Sequence, residues 1–577
     1  MNFDFGDNMK KSLKLYDVPQ ISSIQELLLN SATKYTNKLA MEDLTNTPIN
    51  KVTFSELLNY VLKFGSALKN LGIEEKSHIA IIGENRVQWA ISYFTCMAFN
   101  YVCVPIDRNL TQNEIFNIIH ESDSVAIIFS SNYSDIFDQS NLSLKKLEHF
   151  ICMDEGLLEA QFLNMKTLID EGKKITTANL PQIDKDALAE IIFTSGSLGR
   201  AKGVMLSQGN IASNIVAMTS MLFIYPEDRF LSVLPMHHSY ECTCGMLCPI
   251  YSGASVHYAR NLRTIVDDLQ KVNASILLAV PLLFDKMFKK IAKSISEEKL
   301  KSILVPKLVG LSNFAEKIGI KDIKKKLFAE LHQKFGGNIR IFIAGGAAPD
   351  PKVALGLRGF GFNFLQGYGL TETSPILALN QLNNFKDHAT GLPMPNVEIV
   401  IDNPDENGVG EIFAKGTSIM LGYYKNEIAT KDAFSNGWFK TGDLGYFDED
   451  GFLIIAGRKK NVIISKSGKN VFPEEIEDML NRSQFILESI VYGKDNKKQD
   501  EIIAAKIVPD AEAFIELSES EKVTINEKLM LEVLAKEVEK VNKQLPSFKR
   551  VMKFEIRENE FEKTTTQKIK RYSSNNQ

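Results

Sequence analysis

From Phe193 to Gly203 the chain reads Phe-Thr-Ser-Gly-Ser-Leu-Gly-Arg-Ala-Lys-Gly, with small hydroxyl residues and glycines crowded ahead of a lysine. Such a loop suits phosphate oxygens. Thr194, Ser195 and Ser197 offer hydroxyl donors, Gly196 and Gly199 let backbone N–H groups approach an anion, and Lys202 supplies compensating charge. The spacing is not that of a Walker loop, because Ala201-Lys202 stands where Gly-Lys-Ser/Thr belongs. A plain strand-to-helix connector is the structural alternative.

Five later segments carry compatible chemistry. The glycines of Ala344-Gly345-Gly346-Ala347 permit close approach of a flat ring. Gln366-Gly367-Tyr368-Gly369-Leu370-Thr371-Glu372-Thr373 joins an aromatic ring, a hydroxyl and a carboxylate, and Glu372 at the third glycine position rules out a GxGxxG dinucleotide loop. In Trp438-Phe439-Lys440-Thr441-Gly442-Asp443, the Asp443 carboxylate presents paired acceptors that match a cis-diol. Gly457-Arg458-Lys459-Lys460 and Lys563-Thr564-Thr565-Thr566-Gln567-Lys568-Ile569-Lys570-Arg571 add basic groups.

Together, in this order, the six segments resemble the signature motifs of the adenylate-forming superfamily of acyl-CoA synthetases, luciferases and peptide-synthetase adenylation domains. The resemblance spans about residues 20–572. It departs from the family at Ser197-Leu198, at Arg200-Ala201 and at Gln567, where the family usually has glycine. It implies that the Thr194–Lys202 loop embraces the β- and γ-phosphates of ATP and that Gly345, Gly346 and Ala347 meet adenine. Gln366, Gly367, Tyr368, Gly369 and Thr371 would line the nucleotide, with Tyr368 on adenine, Thr371 at phosphate and Glu372 holding Mg²⁺. Asp443 and Arg458 would take the ribose, Lys460 would be the hinge, and Lys568 would be the adenylation lysine, with Lys570 its rival.

The implied reaction has two halves. A carboxylate attacks the α-phosphorus to give acyl-AMP and pyrophosphate, and a thiol then attacks the mixed anhydride. Positioned cations stabilise the charge that develops on phosphate oxygens. One site must present Lys568 and then clear it, so the resemblance implies rotation of a terminal domain about Lys460, bringing Lys466 and Gly468 to the CoA channel.

Pro235-Met236-His237-His238-Ser239-Tyr240 resembles the family segment that opens a helix beside the acyl pocket, and places His238, Tyr240 and Cys242 there. Ser239 or Glu241 stands where amino-acid adenylation domains carry an amine-binding aspartate. An alkyl tunnel follows, and with it a medium- or long-chain fatty acid and CoA as acceptor. Acyl carrier protein, and a non-catalytic nucleotide-binding scaffold, are the alternatives.

These residues need a large frame. At 577 residues, with 44% hydrophobic and 24% charged content, the chain folds as several units. A net charge of -4 gives no reason to expect nucleic acid. Six cysteines fit a reducing compartment, and the absence of a long apolar run makes a cytoplasmic location the expectation. Strand-like runs at 79–82, 101–104, 124–129, 150–152, 231–234, 275–280, 339–344 and 362–366 alternate with helical stretches, which predicts an α/β fold with parallel sheet covered on both faces. A β-rich, barrel-like subdomain is expected at about 391–457, closing an N-terminal domain of 1–457. A mobile α+β C-terminal domain is expected at 458–577, with Asn461 to Ser465 as a strand. The lysine-rich stretch 286–334 could touch an anionic membrane peripherally, but its interleaved acids favour an ordinary solvated face. A homodimer is left open.

Overall fold

The computed structural model describes the chain apart from residues 1–12, 46, 138–143, 145, 157–160, 174, 195–200, 297–298, 319, 321, 465–468, 497–499, 565–568 and 572–577. The side chains of 299–302, 317, 495–496, 500–501 and 521 also lie outside the description. The chain forms two compact units, one of residues 1–399 and 414–439, the other of 400–413 and 440–577. The β-rich stretch expected at 391–457 contributes strands to both.

Two large sheets organise the first unit. One has eight strands in the spatial order Gly422–Tyr423, Lys202–Ser207, Leu188–Thr194, Val102–Pro105, His78–Ile82, Ala126–Phe129, His149–Cys152, Leu163–Asn164. The other has nine, in the order Leu392–Pro393, Ile376–Leu379, Asn363–Gly369, Ile341–Ala344, Ile276–Ala279, Arg229–Ser232, Ser255–Tyr258, Leu39–Asp43, Lys51–Thr53. Their centres are parallel and almost wholly apolar, with burial on both faces, as the runs Ala126-Ile-Ile-Phe129 and Ile341-Phe-Ile-Ala344 require. Both margins of the nine-stranded sheet, and the Gly422–Tyr423 margin of the eight-stranded one, are antiparallel. Leu188–Thr194 runs parallel to Val102–Pro105 but antiparallel to Lys202–Ser207, and Asn363–Gly369 turns back onto Ile376–Leu379. The Ser/Gly loop therefore joins two antiparallel strands, with Thr194 paired opposite Lys202, and is not a strand-to-helix connector.

The helices follow their sequence signals. Phe54–Asn70 starts at a Thr53/Glu56 capping box and Gln112–Glu121 at a Thr111/Glu114 one, each closing orphan N–H groups. Between Pro281 and Lys334 four helices appear: Pro281–Ser296, Lys299–Lys317, Ile323–Leu327 and Ala329–Lys334. Phe284, Met287 and Ile291 of the first are buried.

In the second unit, Trp438–Phe447 pairs with Leu453–Arg458, setting Asp443 opposite Arg458. Beyond them, Ile486–Asn496 and Asp500–Pro509 form an antiparallel pair, joined in parallel by Lys553–Ile556. The helices Pro473–Leu480 and Glu527–Gln544 bury Ile476, Leu480, Leu534 and Val538 in the same apolar core. This is the expected α+β domain. Of the strand expected over Asn461 to Ser465, Ile463–Ile464 pairs with Asn470–Val471, Asn461 ends a 3₁₀ turn over Lys459–Asn461, and Ser465 lies outside the described residues. The preceding basic run turns rather than extends because Asn461 Nδ2 is held by Glu474 Oε1, at the start of the next helix.

Candidate active site

The strand ends that flank residues 195–200 are paired with each other. Thr194 Oγ1 donates to the Lys202 carbonyl at 3.4 Å, closing the hairpin. Strand Gly422–Tyr423 adds to the edge of this hairpin with Tyr423 opposite Val204, so its side chain shares a face with Lys202 two residues away. Lys202 Nζ lies 4.7 Å above the Tyr423 ring, and the Tyr423 hydroxyl donates to Glu372 Oε1 at 3.0 Å. One tyrosine thus holds the cation on its face and the carboxylate at its rim. Among the described residues Lys202 and Glu372 form no ion pair with each other; Tyr423 lies between them. Burial, and then the Glu372 carboxylate, push the Tyr423 phenol well above its ordinary value, so it stays a donor. Thr430 supports it in turn, its hydroxyl accepting from the Tyr423 N–H at 2.8 Å.

Glu372 is partly exposed at the end of the strand carrying Gln366 to Gly369. Its backbone carbonyl accepts from Met420 N at 2.9 Å, which ties this turn to the segment leading to Tyr423. A hard oxygen donor with Oε1 held by Tyr423 fits Mg²⁺, which binds through one or two carboxylates plus phosphate and water. Thr371 and Tyr368 are likewise half-buried beside it. Gly369 is required by the close return of the chain: a Cβ there would lie 2.0 Å from the Pro375 carbonyl. Gln366 is buried, and its amide donates to the carbonyls of Asp387 and Ala389 at 3.0 and 2.8 Å, so the side chain pins a loop and only its backbone is left to face a nucleotide.

The two adenine glycines divide their work. A Cβ on Gly345 would sit 2.4 Å from Cζ of Tyr240, so the flat ring accommodated there is the protein's own phenol. Gly346, at φ +87°, meets nothing nearer than Val280 at 3.8 Å and keeps the open approach expected of it, with Ala347 exposed beside it.

Tyr240 begins a π-helical stretch, Tyr240–Leu247, that runs into the helix Cys248–Ser252. It borders an apolar cavity of about 20 Å³ shared with Met218, Phe230, Cys244, Gly367 and Leu379. Cys242 points instead into the core, where burial pushes its thiol up and Tyr93 and Glu190 are its neighbours. Two acids share this interior. Glu190 Oε2 accepts from Tyr93 at 3.3 Å, and burial pushes its carboxyl up to about 8. Glu241 is also raised to about 8 by burial, opposed more weakly by the nearby Ser232 hydroxyl and Leu234 backbone.

In the second unit Asp443 is buried and Arg458 Nε holds its Oδ1 at 2.7 Å, the cross-strand pairing that the register dictates. The Thr441 hydroxyl accepts from Asp443 N at 3.1 Å and donates to the Ile412 carbonyl at 2.8 Å, fixing the turn. Lys460 follows in the 3₁₀ turn, its ammonium pKa lowered first by burial and then by Arg458. Ser195, Gly196, Ser197, Gly199, Lys466, Gly468 and Lys568 lie outside the described residues. No sequence spacing pointed to Tyr423. Gly-Tyr-Tyr carries no motif by itself, and only the edge pairing brings it to Lys202 and Glu372.

Residues 28–424 match the model of the AMP-binding enzyme family, and residues 460–577 match the AMP-binding enzyme C-terminal domain. The chain belongs to the AMP-binding enzyme family. The chain is an adenylate-forming ligase of the acyl-CoA or acyl-carrier-protein type. A long-chain-fatty-acid CoA ligase of Mycobacterium bovis, FadD15, is 29% identical over 481 residues, covering 80% of this chain and 78% of its own. AEE15, a chloroplastic long-chain-fatty-acid acyl-carrier-protein ligase of Arabidopsis thaliana, is 27% identical, with 85% and 76% covered. Among solved AMP-binding structures, the anthranilate CoA ligase AuaEII with anthranoyl-AMP superposes with a TM-score of 0.76 at 18% identity, over 98% of this chain and 97% of that one. ATP-bound MatB of Rhodopseudomonas palustris gives 0.74 at 21%, over 95% and 97%. These two share the fold.

Proposed function

We propose that this AMP-binding enzyme activates a medium- or long-chain fatty acid with ATP and passes the acyl group to CoA. The observation that carries the reading is the Thr194, Lys202, Tyr423, Glu372 cluster at the foot of the phosphate loop, which keeps one cation and one carboxylate separately available. Lys202 neutralises phosphate charge, the Thr194 hydroxyl holds the loop base, and Gly346 leaves room for adenine. Mg²⁺ held through Glu372 would neutralise charge on the phosphates. Asp443, oriented by Arg458, takes the ribose hydroxyls. Lys568 bridges the carboxylate and the α-phosphate in the first half-reaction. Rotation about Lys460 then brings Lys466 and Gly468 to the thiol, dividing the chain functionally into 1–457 and 458–577.

His238 and Tyr240 border the acyl entrance, and the tunnel opens when Tyr240 leaves Gly345. A fatty acyl substrate is supported by the likeness to FadD15. Transfer to acyl carrier protein is the second reading, favoured by the likeness to AEE15. A pyrophosphate-release assay over acids of graded chain length, with CoA and carrier protein as competing acceptors, tests both. Lys568→Ala should lower acyl-AMP formation about 100-fold or more while sparing thioesterification of supplied acyl-AMP. Equal loss of both halves refutes the role given to Lys568.

The same protein is proposed to rest on an anionic membrane surface through the 281–334 helices. No helix among the described residues is long and apolar enough to cross a membrane. Instead Ile303, Leu311, Phe314 and Ile318 are about 60% exposed, among exposed Lys286, Lys289, Lys290 and Lys307. Large exposed apolar side chains set among lysines suit the headgroup boundary of an anionic bilayer.

A further inference from the structure

Asp107, His237 and His238 converge where the two large sheets of the first unit present the carboxyl ends of their strands. Asp107 lies two residues beyond strand Val102–Pro105, and the histidines follow Arg229–Ser232. No two of the three ligand atoms, one from each residue, are more than 4.8 Å apart. The supporting groups fix this arrangement. Asp107 Oδ1 accepts from the Asn109 N–H at 2.9 Å, which leaves Oδ2 facing His237 Nε2 at 3.6 Å. Asn85 clamps the histidine loop by donating to the Leu234 carbonyl at 2.6 Å and to Ser232 Oγ at 3.1 Å, and by accepting from Met236 N at 3.1 Å.

His237 is 94% buried, yet its Nε2 makes no hydrogen bond; at 3.6 Å the Asp107 oxygen is too distant for one. A buried ring nitrogen without a hydrogen bond, 3.6 Å from a carboxylate oxygen and beside a second imidazole whose ring centroid is 4.1 Å away, is a group that a bound metal ion would satisfy. Tetrahedral first-row metals, with bonds of about 2.0–2.2 Å, separate their ligand atoms by roughly 3.3 Å, close to the distance between Asp107 Oδ2 and His237 Nε2. Two imidazoles and one carboxylate select a borderline cation such as Zn²⁺, Co²⁺ or Ni²⁺ over Mg²⁺. Cys242, Cys244 and Cys248, the nearby thiols, are all buried in the core.

We propose that Asp107, His237 and His238 form a transition-metal site separate from the Mg²⁺ position at Glu372, and that its occupancy inhibits the enzyme by immobilising His238. The inhibitory role rests on the reading that His238 borders the acyl entrance; the binding itself does not.

The test titrates the full chain, without ATP or acid, with Co²⁺ as the spectroscopic probe and then displaces it with Zn²⁺. One Co²⁺ per chain is expected, with visible d–d absorption and no thiolate-to-metal charge transfer. H237Q and D107N, which preserve side-chain size, should each weaken binding roughly 10-fold or more. Zn²⁺ at the displacing concentration should slow acyl-CoA formation in the wild type and spare D107N. Absence of the Co²⁺ band, an equal band in both variants, or a thiolate band overturns the site. Equal Zn²⁺ inhibition of wild type and D107N overturns the inhibitory role. Because the titration contains no substrate, loss of the site leaves the acyl-CoA reading intact, and an inactive enzyme that binds Co²⁺ leaves the site intact.

Discussion

Tyr423 shows how one side chain prevents a site from neutralising itself. A lysine and a glutamate brought to one phosphate-binding corner attract each other, and a direct ion pair would spend the charges that ATP and metal need. The phenol keeps them apart by binding the cation through its face and the carboxylate through its hydroxyl. Tyr423→Phe retains the ring under Lys202 but frees Glu372. The Mg²⁺ concentration giving half-maximal adenylation should rise several-fold while the KM for the acid is unchanged, since one hydrogen bond to a charged group contributes about 1.5–3 kcal/mol. An unaltered Mg²⁺ profile in pyrophosphate-release assays would show that the hydroxyl does not position Glu372.

At the scale of elements, Gly345 and the π-helical stretch act as a lock. The missing Cβ at the end of strand Ile341–Ala344 is what admits the Tyr240 ring, which lines the adjoining apolar cavity. Gly345→Ala should destabilise the protein by about 1–3 kcal/mol through overpacking, read as a lowered melting temperature. Gly345→Ala combined with Tyr240→Leu should recover most of that loss; a double variant no more stable than the single one would refute the contact. The helices over 281–334 make a different kind of surface. Phe314→Glu with Ile318→Glu should reduce co-sedimentation with phosphatidylglycerol vesicles several-fold, and high salt should release the wild type. Equal binding by the variant would remove this face from the membrane.

The molecule as a whole carries two carboxyls that its interior keeps protonated, Glu190 and Glu241, both raised from 4.5 to about 8 by burial. A raised acid retains in the folded state a proton that the unfolded chain releases. The stabilisation is therefore complete below pH 4.5 and is lost as pH rises toward about 8. Each acid contributes a slope of at most about 1.4 kcal/mol per pH unit in that window. Denaturant titrations of the Glu190→Gln/Glu241→Gln variant should show a flatter decline over the same range. A slope equal to that of the wild type would mean that neither acid is held neutral.

The ordered motifs pointed to the adenylate-forming family, because phosphate, ribose and magnesium each demand particular side-chain types at fixed spacing. Alternating strand and helix signals likewise gave the α/β class and the α+β end, since burial on both faces of a parallel strand leaves a continuous apolar run. Other features depend on groups that are distant in sequence and adjacent in space. Antiparallel addition of Gly422–Tyr423 to an edge strand brought in Tyr423, which no local pattern marks. Gly345, read as room for adenine, also makes room for Tyr240, because a missing side chain declares space but not its occupant. Asp107 met His237 and His238 only through the meeting of two sheets. Local sequence determined which family chemistry the chain carries; tertiary structure decided which charges stay apart and which side chains meet, since those depend on distances that the chain acquires only on folding.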